Sequence, residues 1–363
     1  MIVGRVPKGT NSESIYIEME EAQSLIKTYG GVVCAVAVQK SAHPDPSTFI
    51  GSGKAGEIAA VIAAEKIDIV VINDIVKPGQ LYALEKIFRL SNPKIKVWDR
   101  VNLILQIFSL HAHTKEAKLQ IDLAALRHMG SLLFGMGYIL SRQGGGIGTV
   151  GVGETNTELM KRHWRDEMKH INKQLDKLSE ERETQIKQRK GSGFSTVAIV
   201  GYTNAGKTML FNRLTKKANF VADELFATLD SSVGKMTISG KRDNIVISDT
   251  IGFIKNIPAG LIDAFKSTLL ESIHADLILI LMDISDPEYR EKIRVVDEIL
   301  HELDLDKKSR LYVLNKVDKA ASLDRVNLAK QFISSPLVFI SAKTGEGMDE
   351  LISKIGETIK TNV

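Results

Sequence analysis

The residues best placed to do chemistry lie in the last half of the chain, and the chemistry they suit is phosphate handling. Gly201-Tyr202-Thr203-Asn204-Ala205-Gly206-Lys207-Thr208 follows the strand-like run Thr196 to Val200 and precedes the helical pattern of Leu210 to Leu214. In that context the glycines let backbone N–H groups wrap a polyphosphate, Lys207 neutralises the β and γ phosphates, and the Thr208 hydroxyl ligates Mg²⁺. Asn204, Ala205, Gly206 and Met209 belong to the same nucleotide cradle. A second strand-like run, Ile245 to Ser248, ends in Asp249-Thr250-Ile251-Gly252. Asp249 is suited to hold the metal through water, and Gly252 lets a backbone N–H approach the γ-phosphate. Thr228, in Phe226-Ala227-Thr228-Leu229-Asp230 between the two motifs, stands where a mobile threonine closes on Mg²⁺ with triphosphate bound. Lys207, Thr228 and Gly252 are the candidate catalytic set, and Thr208, Thr228 and Asp249 the candidate metal ligands.

Base choice rests on Asn315-Lys316-Val317-Asp318, which follows the apolar run Leu311 to Leu314. A carboxylate can accept from both N1–H and the 2-amino group of guanine, and adenine offers no donor at either place. Asp318 therefore predicts GTP and GDP as substrate and product, with discrimination against ATP of about 10⁴ or more. Ser341-Ala342-Lys343, after the strand-like Leu337 to Ile340, adds a backbone contact to the guanine oxygen and packing near the base. Regulatory GTPases commonly carry a glutamine just after Asp-x-x-Gly to orient the attacking water, and here that residue is Phe253. A phenyl ring cannot polarise water, so slow unassisted hydrolysis is expected, with a partner supplying or organising the missing group.

The elements that position these residues read as an α/β chain. The 363 residues suggest two or three compact units. Val32 to Val38, Ile69 to Ile72 and Ile95 to Asp99 read as strands, the first two fully buried. Glu57 to Lys66 and Gly79 to Leu90 read as crossover helices, so residues 1–100 suggest a small parallel-sheet unit. Over 101–186 the pattern lengthens. Leu119, Leu123, Leu126, Leu133 and Leu140, then Trp164, Met168, Ile171, Leu175 and Leu178, fit two long helices of an antiparallel hairpin. Its tip, 143–153, holds glycines at 144, 145, 146, 148, 151 and 153 and cannot be helical. That tip suits a flexible linker, a phosphate nest or a probe reaching into folded RNA. Residues 187–193 read as a linker and 194–363 as a P-loop GTPase domain, a mostly parallel sheet with helices on both faces.

Charge and composition narrow the partners. Between Lys161 and Lys190 stand ten basic and six acidic residues, an excess that equals the net +4 of the whole chain. The positive field is thus concentrated on the second hairpin helix. No run reaches the length of a membrane span, and the start lacks a signal peptide, so a cytoplasmic, monomeric protein without membrane contact is expected. Cys34, the single cysteine, reads as a small buried hydrophobe. His111 and His113 lack further ligands at metal-binding spacing. Gly51-Ser52-Gly53-Lys54 is only a truncated phosphate loop.

Several stretches together resemble the HflX family of ribosome-associated GTPases. They are Phe49 to Lys54, Asp99 to Leu105, Lys118-Leu119-Gln120, Leu140 to Gly148, Gly153-Glu154-Thr155, Phe226 to Asp230 and Asp249 to Ile254. The resemblance implies a nucleotide-binding-like α/β unit with a helical arm, a GTPase domain, binding to the large ribosomal subunit and its RNA, and stimulation of hydrolysis by ribosomes. In bacterial members it implies splitting of stalled ribosomes. The chain departs from the family pattern at Tyr82-Ala83, Val150, Val152, Asn156-Thr157 and Gly234, and it ends just after the last GTPase helix, without the tail of many bacterial members. Two other classes fit the residues: a signalling-type GTPase whose amino-terminal unit meets a protein partner, and an RNA-remodelling ATPase. Asp318 disfavours the second.

Overall fold

A computed structural model describes residues 1–128, 156–217, 225–226, 232–236, 244–250, 252–255, 261, 270–320 and 336–361. They form two compact units, one built on residues 1–110, 118–128, 156–175 and 261, the other on residues 111–117 and on the remaining described residues from 176 onward. Among the described residues no helix is long and apolar enough to cross a membrane.

The amino-terminal unit is a four-stranded parallel sheet in the order β2-β1-β3-β4, from β1 (Ile2–Val6), β2 (Val36–Lys40), β3 (Ile69–Ile72) and β4 (Lys96–Asp99). Parallel neighbours need crossovers, and these are the helices α1 (Ser12–Thr28), α2 (Ser52–Glu65) and α3 (Pro78–Phe88). Asn11 caps α1 by accepting from the Ser14 N–H at 2.7 Å. Pro78 at the first turn of α3 needs no intrahelical donor. Ile58, Ile62, Ile72, Leu84 and Phe88 close the core.

Two expectations are corrected here. The apolar run Val32 to Val38 becomes a strand only from Val36, and that strand is the sheet edge, with Val36 45% exposed and Val32 84%. Cys34 is exposed, not buried. An apolar run without periodicity does not distinguish a central strand from an edge strand, which explains the error. The inner strands are β1, whose Ile2 and Val3 are fully buried, and β3.

Helix α4 (Arg100–His111) and residues 115–128, helical and designated α5, lead to the 36-residue α6 (Asn156–Gly191). Leu119, Leu123 and Leu126 of α5 pack with Met168, Ile171 and Leu175 of α6, the leucine-rich spacing expected of paired helices. Residues 133 and 140 and the glycine tip 143–153 lie outside the described residues. The helix continues through Gly191, so 187–191, read as linker, are helical, and Ser192 and Gly193 make the turn that follows. Arg189 near that end pairs with the buried Glu271 at 2.6 Å.

The carboxy-terminal unit is a six-stranded sheet, β10-β9-β8-β5-β7-β6, from β5 (Ser195–Gly201), β6 (Ser232–Met236), β7 (Ile245–Asp249), β8 (Leu277–Asp283), β9 (Ser309–Asn315) and β10 (Leu337–Phe339). Only β6 runs antiparallel to its neighbour. Helices α7 (Lys207–Thr215), α8 (Tyr289–Glu302) and α9 (Met348–Thr361) accompany the sheet. Val197, Ile199, Leu279, Leu281, Leu311 and Val313 are wholly buried. Each such side chain contributes about 1.5–3 kcal/mol of transfer free energy. The α/β fold class expected from the sequence is the one observed.

Gly201 ends β5 at the point where backbones meet most closely. Its φ is +156°, and a Cβ there would lie 2.3 Å from the Leu281 carbonyl oxygen on β8. Gly201→Ala is expected to cost about 2 kcal/mol or more in chemical denaturation. An unchanged midpoint would show that β5 and β8 part freely at this position.

Candidate functional site

The site forms where strands β5, β7, β9 and β10 end, because each is followed by one of the candidate loops. After β5 the chain turns through Asn204 (φ +61°) and Gly206 (φ +95°) before α7 starts at Lys207. A Cβ on Gly206 would come within 2.5 Å of Asn315 Nδ2, so only glycine fits that approach. Lys207 is buried and its ammonium donates to the Tyr202 carbonyl oxygen at 2.9 Å. The Thr208 hydroxyl donates to Asp249 Oδ2 at 2.9 Å, joining the phosphate loop to the end of β7.

Burial dominates the electrostatics of this pair. It pushes the Asp249 carboxyl up to about 6, against the charge of Lys207, the Thr208 hydroxyl and the Thr250 N–H. It likewise pushes Lys207 down to about 8, against the charge of Asp249. Asp249 Oδ1 is buried without a hydrogen-bond partner. That oxygen, beside a threonine hydroxyl, is the donor set a hard dication takes.

Beyond Asp249, Gly252 lies against the loop: a Cβ there would meet Thr203 Cγ2 at 2.8 Å and Lys207 Nζ at 2.9 Å. Phe253 is bound on both sides by the loop backbone. Its N–H donates to the Gly201 carbonyl at 3.0 Å, and its own carbonyl accepts from the Thr203 N–H at 2.7 Å. Its side chain is only 2% exposed, so the residue in the glutamine position is a packing residue. The Tyr202 hydroxyl accepts from the Lys255 N–H at 2.8 Å, a tie that sequence spacing gave no means of finding. Thr228 and Ile251 lie outside the described residues.

The base end is organised by Asn315. Its Nδ2 donates to the Ala205 carbonyl at 2.8 Å and its Oδ1 accepts from the Ala342 N–H at 2.9 Å, so one amide joins three of the motifs. Lys316, in a left-handed conformation (φ +66°), reaches the Asn204 carbonyl at 2.9 Å and pairs with Asp283 at 2.7 Å. Asp283, at the end of β8, was absent from the sequence reading, although a carboxylate closing the apolar run Leu277 to Met282 was a usable signal. Asp318 accepts from the Ser341 hydroxyl at 2.6 Å. That hydrogen bond, ahead of the charges of Lys343 and Lys319, holds its carboxyl below the usual range. The Lys343 carbonyl accepts from Arg213 at 2.7 Å. Met209 turns its side chain toward the core.

A phosphate loop on a mostly parallel sheet, tied to the aspartate that ends β7 and to the loops after β9 and β10, defines a P-loop GTPase. Residues 196–316 match a family described as 50S ribosome-binding GTPase, residues 17–109 the GTP-binding GTPase N-terminal family and residues 111–189 the GTP-binding GTPase middle region. GTPase HflX of Caldanaerobacter subterraneus subsp. tengcongensis is 39% identical over 93% of this chain and 76% of that protein. GTPase HflX of Escherichia coli K12 is 36% identical over 95% of this chain and 80% of its own length, and that of Methanocaldococcus jannaschii 36% over 95% and 84%. The crystal structure of SsGBP with GDP superposes with a TM-score of 0.52 at 27% identity, covering 99% of this chain and 98% of that one. The chain belongs to the HflX family of GTPases.

Ser341 makes the acid limb of nucleotide binding testable. A carboxyl held down by a donor stays ionised further into acid, so removing the donor raises its pKa. In Ser341→Ala the loss of GDP binding on acidification from about pH 7 to about pH 4 is expected to occur at a higher pH than in the parent protein. Fluorescent-GDP titrations would show it, and coincident midpoints would separate Ser341 from the ionisation of Asp318.

Proposed function

We propose that the chain hydrolyses GTP to GDP and phosphate with Mg²⁺, slowly alone and faster on the large ribosomal subunit, where it engages ribosomal RNA in the cytoplasm. The observation that carries the nucleotide part is the set of hydrogen bonds Thr208 to Asp249, Asn315 to Ala205, Ala342 to Asn315 and Ser341 to Asp318. These hydrogen bonds link four motifs spread over residues 201–343.

The residues divide the labour. N–H groups of 204–209 wrap the phosphates, Lys207 faces the β and γ oxygens, and the Gly252 N–H reads the γ-phosphate. Thr208 and Thr228 would hold Mg²⁺ directly and Asp249 would hold it through water, a role for Asp249 that its unpartnered Oδ1 supports. When bound, Mg²⁺ offsets the charge that builds on the β and γ oxygens. Asp318 accepts from guanine N1–H and its 2-amino group, Asn315 and the Ala342 N–H frame the base edge, and Lys316 and Lys343 flank the ring. With Phe253 turned into the packing, the chain lacks the usual side chain for orienting water, which supports slow intrinsic turnover.

For the ribosome, support comes from the description of the family matched by 196–316 and from the face of α6. Arg165, Lys169, Lys173 and Lys177 recur every four residues and are all exposed. Cations at about 6 Å rise per step suit a phosphate backbone without sequence readout. In this reading 1–100 is the α/β unit, 101–186 the arm and 194–363 the motor domain, with splitting or rescue of stalled ribosomes as its task.

Cosedimentation with purified large subunits tests the proposal. Binding is expected with a non-hydrolysable GTP analogue, weaker with GDP, and falling steeply with salt. A protein that stays in the supernatant in every nucleotide state would overturn the ribosomal part. Asp318→Asn is expected to weaken GTP binding about a hundredfold or more and to favour xanthosine triphosphate, whose 2-oxo group accepts from the new amide. Unchanged GTP preference in that variant would remove the assigned role of Asp318.

A further inference from the structure

Asp283 closes β8 and stands opposite Asn315 in the register of β8 with β9. Its two oxygens have separate tasks. Oδ1 accepts from the Ser285 N–H at 3.0 Å and from the Ser285 hydroxyl at 2.6 Å, which fixes the carboxylate on its own turn. Oδ2 pairs with Lys316 Nζ at 2.7 Å. The same ammonium donates to the Asn204 carbonyl at 2.9 Å, so the tip of Lys316 is held from two sides, by the end of β8 and by the phosphate loop. Its root is fixed as well, because Lys316 takes a left-handed conformation (φ +66°) directly after β9. The Lys316 and Asp283 side chains are only 19% and 20% exposed, and a pair so placed is screened less than one on open surface. The cap on Ser285 uses one carboxylate oxygen, and the other is left for the lysine.

We infer that Asp283 is a positioning residue for the nucleotide, holding the Lys316 stem taut between β9 and the phosphate loop as a preformed wall for the face of the purine ring. This rests on guanine nucleotide binding at this site and adds to it a residue that acts through Lys316. A lysine carries its charge on a flexible four-carbon stem. Held by the Asn204 carbonyl alone, a neutral acceptor, the stem would sample other rotamers, and ordering it would fall to the bound nucleotide. The charge of Asp283 completes that ordering before the ligand arrives. A wall of methylenes carries no information about the base, which Asp318 reads. Asp283 therefore sets how long a nucleotide stays, not which one enters. The pair lies at the base end of the site, so GDP and GTP depend on it alike.

Asp283→Asn keeps an amide oxygen for the Ser285 donors and removes the charge that faces Lys316. In stopped-flow measurements, dissociation of a fluorescent GDP and of a fluorescent non-hydrolysable GTP analogue should both speed up about threefold to tenfold in this variant. The preference for guanine over xanthine nucleotides and the single-turnover rate at saturating GTP should stay within about twofold of the parent, and a rate that falls with affinity would overturn the inference. In Lys316→Met, an uncharged stem of similar length, adding Asp283→Asn should change dissociation by less than about twofold, since the carboxylate has no ammonium left to hold. Parental dissociation in Asp283→Asn would overturn the inference, as would an undiminished effect in the Lys316→Met background. Ser285→Ala is the control for the turn: it should leave dissociation within about twofold, and a loss matching that of Asp283→Asn would place the effect in the turn and not in the ion pair. Should Asp283→Asn fail to fold, Asp283→Glu, which shifts the charge by one methylene, enters the same comparison with and without Lys316→Met. A parental protein that binds no GDP would remove the nucleotide site itself, whereas binding indifferent to position 283 removes only this positioning role.

Discussion

The site depends on two opposite charges, Lys207 and Asp249, held almost wholly out of water, with the Thr208 hydroxyl donating to Asp249. Burial works against both charged forms, moving the carboxyl up to about 6 and the ammonium down to about 8. Their mutual attraction offsets only part of that cost. In the proposed nucleotide complex a polyphosphate would bring negative charge to Lys207 and a dication positive charge to Asp249, supplying what the protein interior withholds. Affinity for a charged nucleotide is therefore built into how deeply these two side chains are placed.

That depth follows from sheet topology. Strand β5 lies between β7 and β8 in the middle of the sheet, so the chain leaves it toward β7 on one side and arrives at β8 on the other. Loops at the carboxyl ends of such neighbours diverge and leave a crevice, which the phosphate loop occupies. Close packing tightens the arrangement: Gly201 touches the Leu281 carbonyl and Gly206 the Asn315 amide, so neither position has room for a side chain. The motif glycines serve contact between backbones as much as contact with phosphate.

Much of the site was legible in the sequence because each motif follows an apolar run that could only be a buried strand. Chain order then assigned Lys207, Asp249, Asn315 and Asp318 to one edge. The amino-terminal unit was less legible. Its inner strand Ile2 to Val6 is interrupted by Gly4 and Arg5, whereas the edge strand lies in the apolar stretch Val32 to Val38 and leaves Val36 exposed. Apolar content reports burial only where both sides of a strand are covered, and nothing local encodes the order of strands. The helix end at 187–191 was missed because a polar, charged stretch reads alike as linker or as a solvated helix. Contacts such as Tyr202 to Lys255 and Lys316 to Asp283 join positions that no spacing rule connects.

Holding the nucleotide and hydrolysing it draw on different parts of this site. Asn315 ties the phosphate loop, its own loop after β9 and the Ser341-Ala342-Lys343 turn together through two hydrogen bonds. The segment Gly252 to Lys255, in contrast, is laid along the phosphate loop by backbone hydrogen bonds and by the Tyr202 hydroxyl, with Phe253 turned inward. A glutamine there would carry a polar amide into an apolar interior, at a cost of about 1–3 kcal/mol if left unpaired. The packing that stabilises this segment thus opposes a water-orienting side chain at the usual position. Position 253 is given over to packing, apart from the Asn315 hydrogen bonds that hold the motifs together.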